Sequence, residues 1–232
     1  MNVAVILAGG TGRRAELDIP KQYYEVDGKP VIVYCLHTFL THEDIDAVQI
    51  VADEMWQGYI MQHLCALPGK EKFNGFSMPG ENRQLSIYHA LEDIRKYAFE
   101  NDTVVVHDAA RPCVSAVQIG DCLKAAEGHD GALPVLPMKD TVYLSENGNE
   151  VSALLDREKI YAGQAPEAFL FGKYYEANRA LLGEKILGIN GSAEPAVMAG
   201  MDIAMIPGDE GNFKITTLAD LRRFEQIQGG VK

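Results

Sequence analysis

Apolar residues gather in short runs that alternate with stretches of helical spacing. Residues 3–7 (Val-Ala-Val-Ile-Leu) are an unbroken apolar run ended by glycines, the pattern of a strand buried on both faces. Helical spacing follows over 31–39, a second strand-like run over 47–52, and a further candidate helix over 56–67. Over 84–99, Ile87, Leu91, Ile94 and Ala98 recur at three- and four-residue steps, which predicts an amphipathic helix. Residues 103–107 predict another buried strand, 117–126 a helix and 131–135 a strand. This alternation predicts an α/β fold with a mostly parallel central sheet and helices on both faces.

After Pro137 the pattern changes. Residues 141–145 and 151–155 are strand-like and flank Glu146-Asn147-Gly148-Asn149, a turn signal. A β-hairpin arm projecting from the sheet is therefore predicted within 138–163. Helix resumes over 171–182, 202–206 and 212–215 are strand-like, and a last helix covers 218–228. Thr217 and Asp220 approximate a capping box at its start. No repeat or low-complexity tract interrupts the 232 residues, so 1–232 reads as one domain.

Composition narrows the picture. With 47% apolar and 23% charged residues the chain can bury a full core, which argues against disorder. No run approaches the ~20 apolar residues of a membrane span. The apolar start lacks a basic leader and ends in glycines, so it reads as a strand rather than a signal peptide. Cys35, Cys65, Cys113 and Cys122 have no metal-finger spacing and fit the reduced thiols of a cytoplasmic protein. The formal net charge of −12 argues against binding nucleic acid or an acidic membrane. A phosphorylated ligand then requires cations concentrated in one place.

Candidates for that place exist. The first strand runs into Ala8-Gly9-Gly10-Thr11-Gly12-Arg13-Arg14, followed by Pro20-Lys21-Gln22. Glycines after a parallel strand let backbone N–H groups approach an anion, and a neighbouring guanidinium can fork onto phosphate oxygens. The alternative is a tight strand exit with two solvated arginines; the position at the strand's carboxyl end favours phosphate. Gly10-Thr11-Gly12-Arg13-Arg14-Ala15 also fits a dinucleotide fingerprint. Against that stand Pro20, which would interrupt the required helix, and Lys29-Pro30 where a ribose-binding acid belongs.

Further along, His107-Asp108-Ala109-Ala110-Arg111-Pro112 puts a carboxylate at a strand end. Asp108 there could bind Mg²⁺ on a triphosphate, or cap a turn with Arg111 as its ion-pair partner. Arg83 and Ser86 flank the start of the 84–99 helix, with Ser86 either a cap or a nucleobase contact. Asp140-Thr141 and Asp156-Arg157 mark the ends of the arm, and Lys214 lies on a late strand-like run. No His-Glu-x-x-His or Gly-x-Ser-x-Gly occurs. Nucleotidyl transfer to a phosphate needs neither, because a phosphate monoester with a second pKa of about 6 is already a dianionic nucleophile.

Taken in order, the Gly-rich loop with Arg14, Pro20-Lys21-Gln22-Tyr23, Gly28-Lys29-Pro30, Arg83-x-x-Ser86, His107-Asp108-Ala-Ala-Arg111-Pro112, Asp140-Thr141, Asp156-Arg157 and Asn212-x-Lys214-Ile-Thr216 resemble one family across nearly the whole chain. It is that of the 2-C-methyl-erythritol 4-phosphate and ribitol 5-phosphate cytidylyltransferases. The resemblance implies a Rossmann-like nucleotidyltransferase fold, a homodimer whose arms embrace the partner, and CTP, a small polyol phosphate and Mg²⁺ as ligands. Carried onto this chain, Ala8, Gly9, Gly10, Thr11 and Gly12 would cradle the CTP phosphates. Arg14, Lys21 and Lys214 would stabilise the transition state. Pro79, Gly80 and Ser86 would surround the cytosine, with Arg83 and Ala109 also at the nucleotide. Asp108 would hold Mg²⁺ and, with Arg111, Thr141 and Arg157, face the polyol phosphate, the last two in the neighbouring subunit's site.

The chain also departs from the family pattern. Gln164-Ala165-Pro166-Glu167 stands for Gln-Thr-Pro-Gln, Asn190-Gly191-Ser192-Ala193 for Thr-Asp-(acid)-Ala, and Pro79-Gly80 for Gly-Gly. The first two changes bear on acceptor identity. Ala8-Gly9-Gly10, Tyr161-x-Gly163-Gln164 and Lys214-Ile-Thr-Thr217 lean toward the ribitol-phosphate branch. The altered acceptor motifs would also suit a catalytically silent nucleotide-binding relative, against which stands the retention of Arg14, Lys21, Asp108 and Lys214.

Overall fold

The structure is a computed structural model that describes residues 1–10 and 18–230. In chain order the first half comprises β1 (Asn2–Leu7), β2 (Glu25–Val26), β3 (Lys29–Pro30), α1 (Val31–Thr41), β4 (Ala47–Val51), α2 (Glu54–Leu64), β5 (Phe73–Ser77), α3 (Arg83–Ile94) and β6 (Thr103–Asp108). The second half comprises α4 (Ala116–Ala126), β7 (Gly131–Pro137), β8 (Val142–Leu144), β9 (Ala153–Leu155), β10 (Tyr161–Gly163), β11 (Glu167–Leu170), α5 (Phe171–Arg179), α6 (Glu184–Leu187), α7 (Glu194–Met198), β12 (Ile203–Pro207) and α8 (Leu218–Gly229).

Among the described residues, eight strands form the central sheet in the order β10-β7-β11-β6-β1-β4-β5, with β12 also paired to β7. β1 pairs in parallel with β4 and β6, β4 with β5, and β7 with β12. β10 and β11 run antiparallel to their neighbours, so the sheet is mixed and mostly parallel.

The two-residue alternation of side chains explains how it is covered. Ala4 and Ile6 of β1 and Val105 of β6 enter one core with α1, α2 and α4, represented by Leu36, Phe39, Ile60 and Ile119. Val3 and Val5 of β1 and Val104 and Val106 of β6 enter the opposite core with α3, α5 and α7, through Ile87, Leu91, Tyr174 and Ala196. The expected helices on both faces are present. A third cluster packs Leu221 and Phe224 of α8 against Val26, Val31 and Ile215. It fixes the loop that carries Lys214.

The arm is also present: β8 and β9 pair antiparallel in register Val142↔Leu155, Tyr143↔Leu154 and Leu144↔Ala153, with Gly148 at φ +76° in the turn. The capping box forms, since Asp220 N donates to Thr217 Oγ1 and the Asp220 carboxylate accepts from Thr217 N.

Three expectations are corrected. Residues 212–215 form no strand: the segment has no ladder partner among the described residues, and its Ile215 N–H donates to Ala110 O at 2.8 Å. The helix predicted over 84–99 ends at Ile94; Ala98 keeps the apolar period only because a turn, with Ala98 N donating to Ile94 O, returns it to the core. The 131–135 strand gains antiparallel neighbours, β10 and β11, that the parallel pattern does not anticipate.

Candidate active site

Going from β1, the chain places β4 on one side and later β6 on the other, so the strand order turns at β1. Open α/β sheets take ligands at the carboxyl ends of strands at such a point. The parallel register pairs Leu7 with Asp108, which brings the glycine loop after β1 level with the carboxylate ending β6. Between them opens a cavity of about 400 Å³ lined by Gly9, Gly10, Lys21, Gly80, Arg83, Ser86, Asp108 and Lys214, among others.

The loop is held from below. Gln22 Nε2 donates to Ala8 O at 2.6 Å and to Gly10 O at 2.7 Å, and Tyr23 Oη donates to Ala8 O at 2.8 Å. Tyr23 stacks on Trp56 with ring centroids 4.3 Å apart. With those two carbonyls tied back, the backbone at Gly9 and Gly10 faces the cavity. A Cβ on Gly9 would lie 2.5 Å from Pro79 Cβ, so only glycine allows this approach of the two loops. Sequence reasoning assigned no role to Gln22; a glutamine following Pro20-Lys21 is the only trace of it.

The opposite wall comes from the start of α3. Asn82 caps the helix, its Oδ1 accepting from Leu85 N at 2.8 Å. Ser86 is therefore not the cap. Its hydroxyl donates to Asn82 O at 2.8 Å and accepts from Gly80 N at 2.9 Å, which folds Gly80 against the helix. Asn82 carried a readable signal, a capping residue just before an amphipathic run.

Asp108 is 7% exposed and gathers three cations. Arg83 Nε and Lys214 Nζ donate to it at 3.0 and 2.9 Å, and Arg111 Nε lies 3.6 Å away. Burial opposes its charge, yet Arg83, Lys214 and Arg111 hold the carboxyl well below the usual carboxylate range. Arg111 is braced by donating to Asn212 O at 2.7 Å, while burial lowers its own pKa and Asp108 opposes that shift. His107, pushed down to about 4 by burial, donates from Nε2 to Arg111 O. Ala109 is fully buried, with its N–H on Leu7 O at 3.0 Å.

The predicted Thr141 and Arg157 lie elsewhere. Both are exposed at the arm, where Arg157 donates to Lys139 O at 2.9 Å, and neither lines the cavity. Thr11, Gly12 and Arg14 lie outside the described residues. Glu167 and Ser192, from the two segments that depart from the family pattern, meet, the Ser192 hydroxyl donating to the Glu167 carboxylate.

Among the described residues no group of three His, Cys, Asp or Glu side chains could hold a metal by itself. A lone carboxylate beside a glycine cradle nevertheless suits Mg²⁺, which usually takes one or two carboxylates plus substrate phosphates and water. No helix of the described residues is long and apolar enough to cross a membrane.

Comparison with known proteins agrees with this layout. The family described as 2-C-methyl-D-erythritol 4-phosphate cytidylyltransferase matches residues 2–229. The ribitol-5-phosphate cytidylyltransferase of Streptococcus agalactiae serotype III is 31% identical over 242 residues, covering 99% of this chain and 100% of that protein. The bifunctional IspD/IspF enzyme of Rhodopseudomonas palustris is 36% identical over 222 residues, covering 96% of this chain and 54% of that protein, so this chain spans about half its length. Among solved structures, the Francisella tularensis 2-C-methyl-D-erythritol 4-phosphate cytidylyltransferase superposes with a TM-score of 0.80 at 27% identity, over 96% of this chain and 97% of that one. The match in sequence from Asn2 to Gly229 and the shared sheet together show that the chain belongs to the IspD family of cytidylyltransferases.

Proposed function

We propose that this chain transfers CMP from CTP to an alditol phosphate, with D-ribitol 5-phosphate as acceptor and pyrophosphate as the leaving group. The observation that carries the reading is the convergence of Lys21, Arg83 and Lys214 on a glycine cradle and one buried carboxylate, in a chain whose net charge is −12. A cavity that concentrates positive charge against the overall field suits a triphosphate and a phosphate acceptor brought together.

In this reading the Gly9–Gly10 backbone and Lys21 take the triphosphate, and the Pro79–Ser86 wall takes the base. An oxygen of the acceptor phosphate attacks the α-phosphorus in line; the P–O bond to the β-phosphate breaks and its electron pair leaves with pyrophosphate. The nucleophile is already a dianion, so no general base is needed. Lys21, Lys214 and Arg14 neutralise the charge that builds on the α-phosphoryl oxygens. Mg²⁺, held by Asp108 with phosphate oxygens, would supply further neutralisation of the triphosphate.

The acceptor assignment is supported by the full-length match to a ribitol-5-phosphate enzyme. The bifunctional relative at 36% identity supports a second reading, with 2-C-methyl-D-erythritol 4-phosphate as acceptor. The arm exposes Tyr143, Leu144, Val151 and Leu154, an apolar surface that a symmetric partner chain would cover. Thr141 and Arg157 would then act in the partner's site.

Base selectivity tests the reading. Pyrophosphate release with D-ribitol 5-phosphate is expected from CTP and not from UTP, since a pocket built to pair with the cytosine amino group leaves a buried partner unpaired with uracil. Equal turnover of the two nucleotides would overturn it.

A further inference from the structure

Lys214 lines the cavity but stands on a segment with no ladder partner among the described residues, so no strand or helix sets its position. After it, Ile215 is fully buried in the α8 cluster and its N–H donates to Ala110 O at 2.8 Å. Before it, the fixed point is Asn212, which is fully buried as well.

Asn212 ties several segments together. Its N–H donates to Asp209 O at 3.0 Å, and its carbonyl accepts from Arg111 Nη1 at 2.7 Å. Its Nδ2 donates twice, to Gln118 Oε1 on α4 and to Ala165 O in the turn before β11, each at 2.7 Å. Gln118 is itself buried in the first turn of α4, where its N–H donates to the Ser115 hydroxyl. Two N–H donors on one nitrogen are what an amide supplies; an aspartate, serine or alanine at this position could not donate to both acceptors.

These contacts close a ring. Arg111 Nε lies 3.6 Å from Asp108 Oδ2, Arg111 Nη1 donates to the Asn212 carbonyl, and two residues on Lys214 Nζ returns to Asp108 Oδ2 at 2.9 Å. The Asn212 side chain does not line the cavity, so it reaches the ligands only through this ring. Without that side chain two buried acceptors lose their donor, and the segment before Lys214 keeps only its backbone bonds to Asp209 and Arg111. We propose that Asn212 is a positioning residue for cytidylyl transfer: its amide holds residues 212–214 against α4 and the turn before β11, and so sets the reach of Lys214 into the phosphate cradle. The inference rests on the reading of Lys214 as a charge-neutralising group given above.

The test is a double-mutant cycle on kcat, with D-ribitol 5-phosphate as acceptor, or 2-C-methyl-D-erythritol 4-phosphate if the parent prefers it. Asn212→Ala is expected to lower kcat roughly 10- to 100-fold, as misplacement by about 1 Å does, with the CTP KM within about twofold of the parent's. Added to Lys214→Ala, the same substitution should cost less than about twofold more, because the group it positions is already gone. A role confined to stability would lower Tm in both backgrounds and leave the kcat of the folded protein unchanged. Gln118→Leu removes one of the two acceptors from the other side of the contact. It should show the same pattern with a smaller loss, and it carries the test if Asn212→Ala does not fold. A folded variant with the parent's kcat overturns the proposal, and so does a loss that multiplies fully with that of Lys214→Ala. A parent that forms no CDP-linked product overturns the transfer reading itself, which is a different result.

Discussion

Lys214 Nζ lies 2.9 Å from Asp108 Oδ2, closing 106 positions of chain across the mouth of the cavity. The contact joins a loop fixed by the α8 cluster to the end of β6. In the proposed reading it keeps a lysine aimed at the phosphate cradle before any ligand arrives. Removing Lys214 or Lys21 should therefore depress kcat far more than stability. Lys21→Ala and Lys214→Ala are each expected to lose roughly 10²-fold or more in kcat. Circular dichroism and steady-state kinetics together check this; a folded, nearly active variant would remove that lysine from the chemistry.

The glycine loop gives a steric prediction. Gly9→Ala would place its Cβ 2.5 Å from Pro79 Cβ, and the Pro79 ring cannot yield without moving the wall that the proposed reading gives to the base. Misplacement of this size costs roughly 10²-fold in kcat/KM. Gly58→Ala, on the exposed side of α2 with no described atom within 4 Å of the added Cβ, should remain near the parent's activity. Equal losses at both positions would contradict the close approach of the two loops.

How much of this was legible beforehand differs from element to element. β1, β6 and their two-sided burial could be read because Val3–Leu7 and Val104–Val106 are unbroken apolar runs, as in central parallel strands. β11 could not: four residues between Pro166 and a helix carry too little period to distinguish a strand from a loop. The place of Lys214 was misread as a strand because Phe213 and Ile215 alternate with polar residues, yet both serve the α8 cluster and neither belongs to a ladder. Lys21, Asp108 and Lys214 were found through motifs. The segments of Glu167 and Ser192 stood out as departures from the family pattern, but their contact across 25 positions could not be read from the sequence.

Glu167 also makes stability depend on pH in a direction opposite to most carboxylates. Its folded pKa of about 7 exceeds the ordinary 4.5, so the folded state holds the proton more tightly. That contribution is complete below about 4.5 and is lost as pH rises through 7. Glu167→Gln should thus gain Tm relative to the parent between pH 5 and 8. Asp108, held below its usual range, contributes in the opposite sense, and its share is lost on acidification below about 3.8. Thermal melts of both proteins from pH 5 to 8 check the first sign; a constant Tm difference would contradict it.

The arm predicts complementation between subunits. If Arg157 serves the partner's site, mixing Arg157→Ala with Lys21→Ala protein should restore activity, because one site of a mixed dimer then holds both intact residues. Verified subunit exchange without recovery would place Arg157 in its own subunit's site or outside the site.

The most direct measurement of the central claim is a competition. The protein, CTP and Mg²⁺ are incubated with equal concentrations of D-ribitol 5-phosphate and 2-C-methyl-D-erythritol 4-phosphate, and the cytidylylated products are weighed by mass spectrometry. The account predicts that CDP-ribitol accumulates first and dominates, with one pyrophosphate released per molecule formed. Dominant cytidylylation of the methylerythritol phosphate would contradict the acceptor assignment, and the absence of any CDP-linked product would contradict transfer.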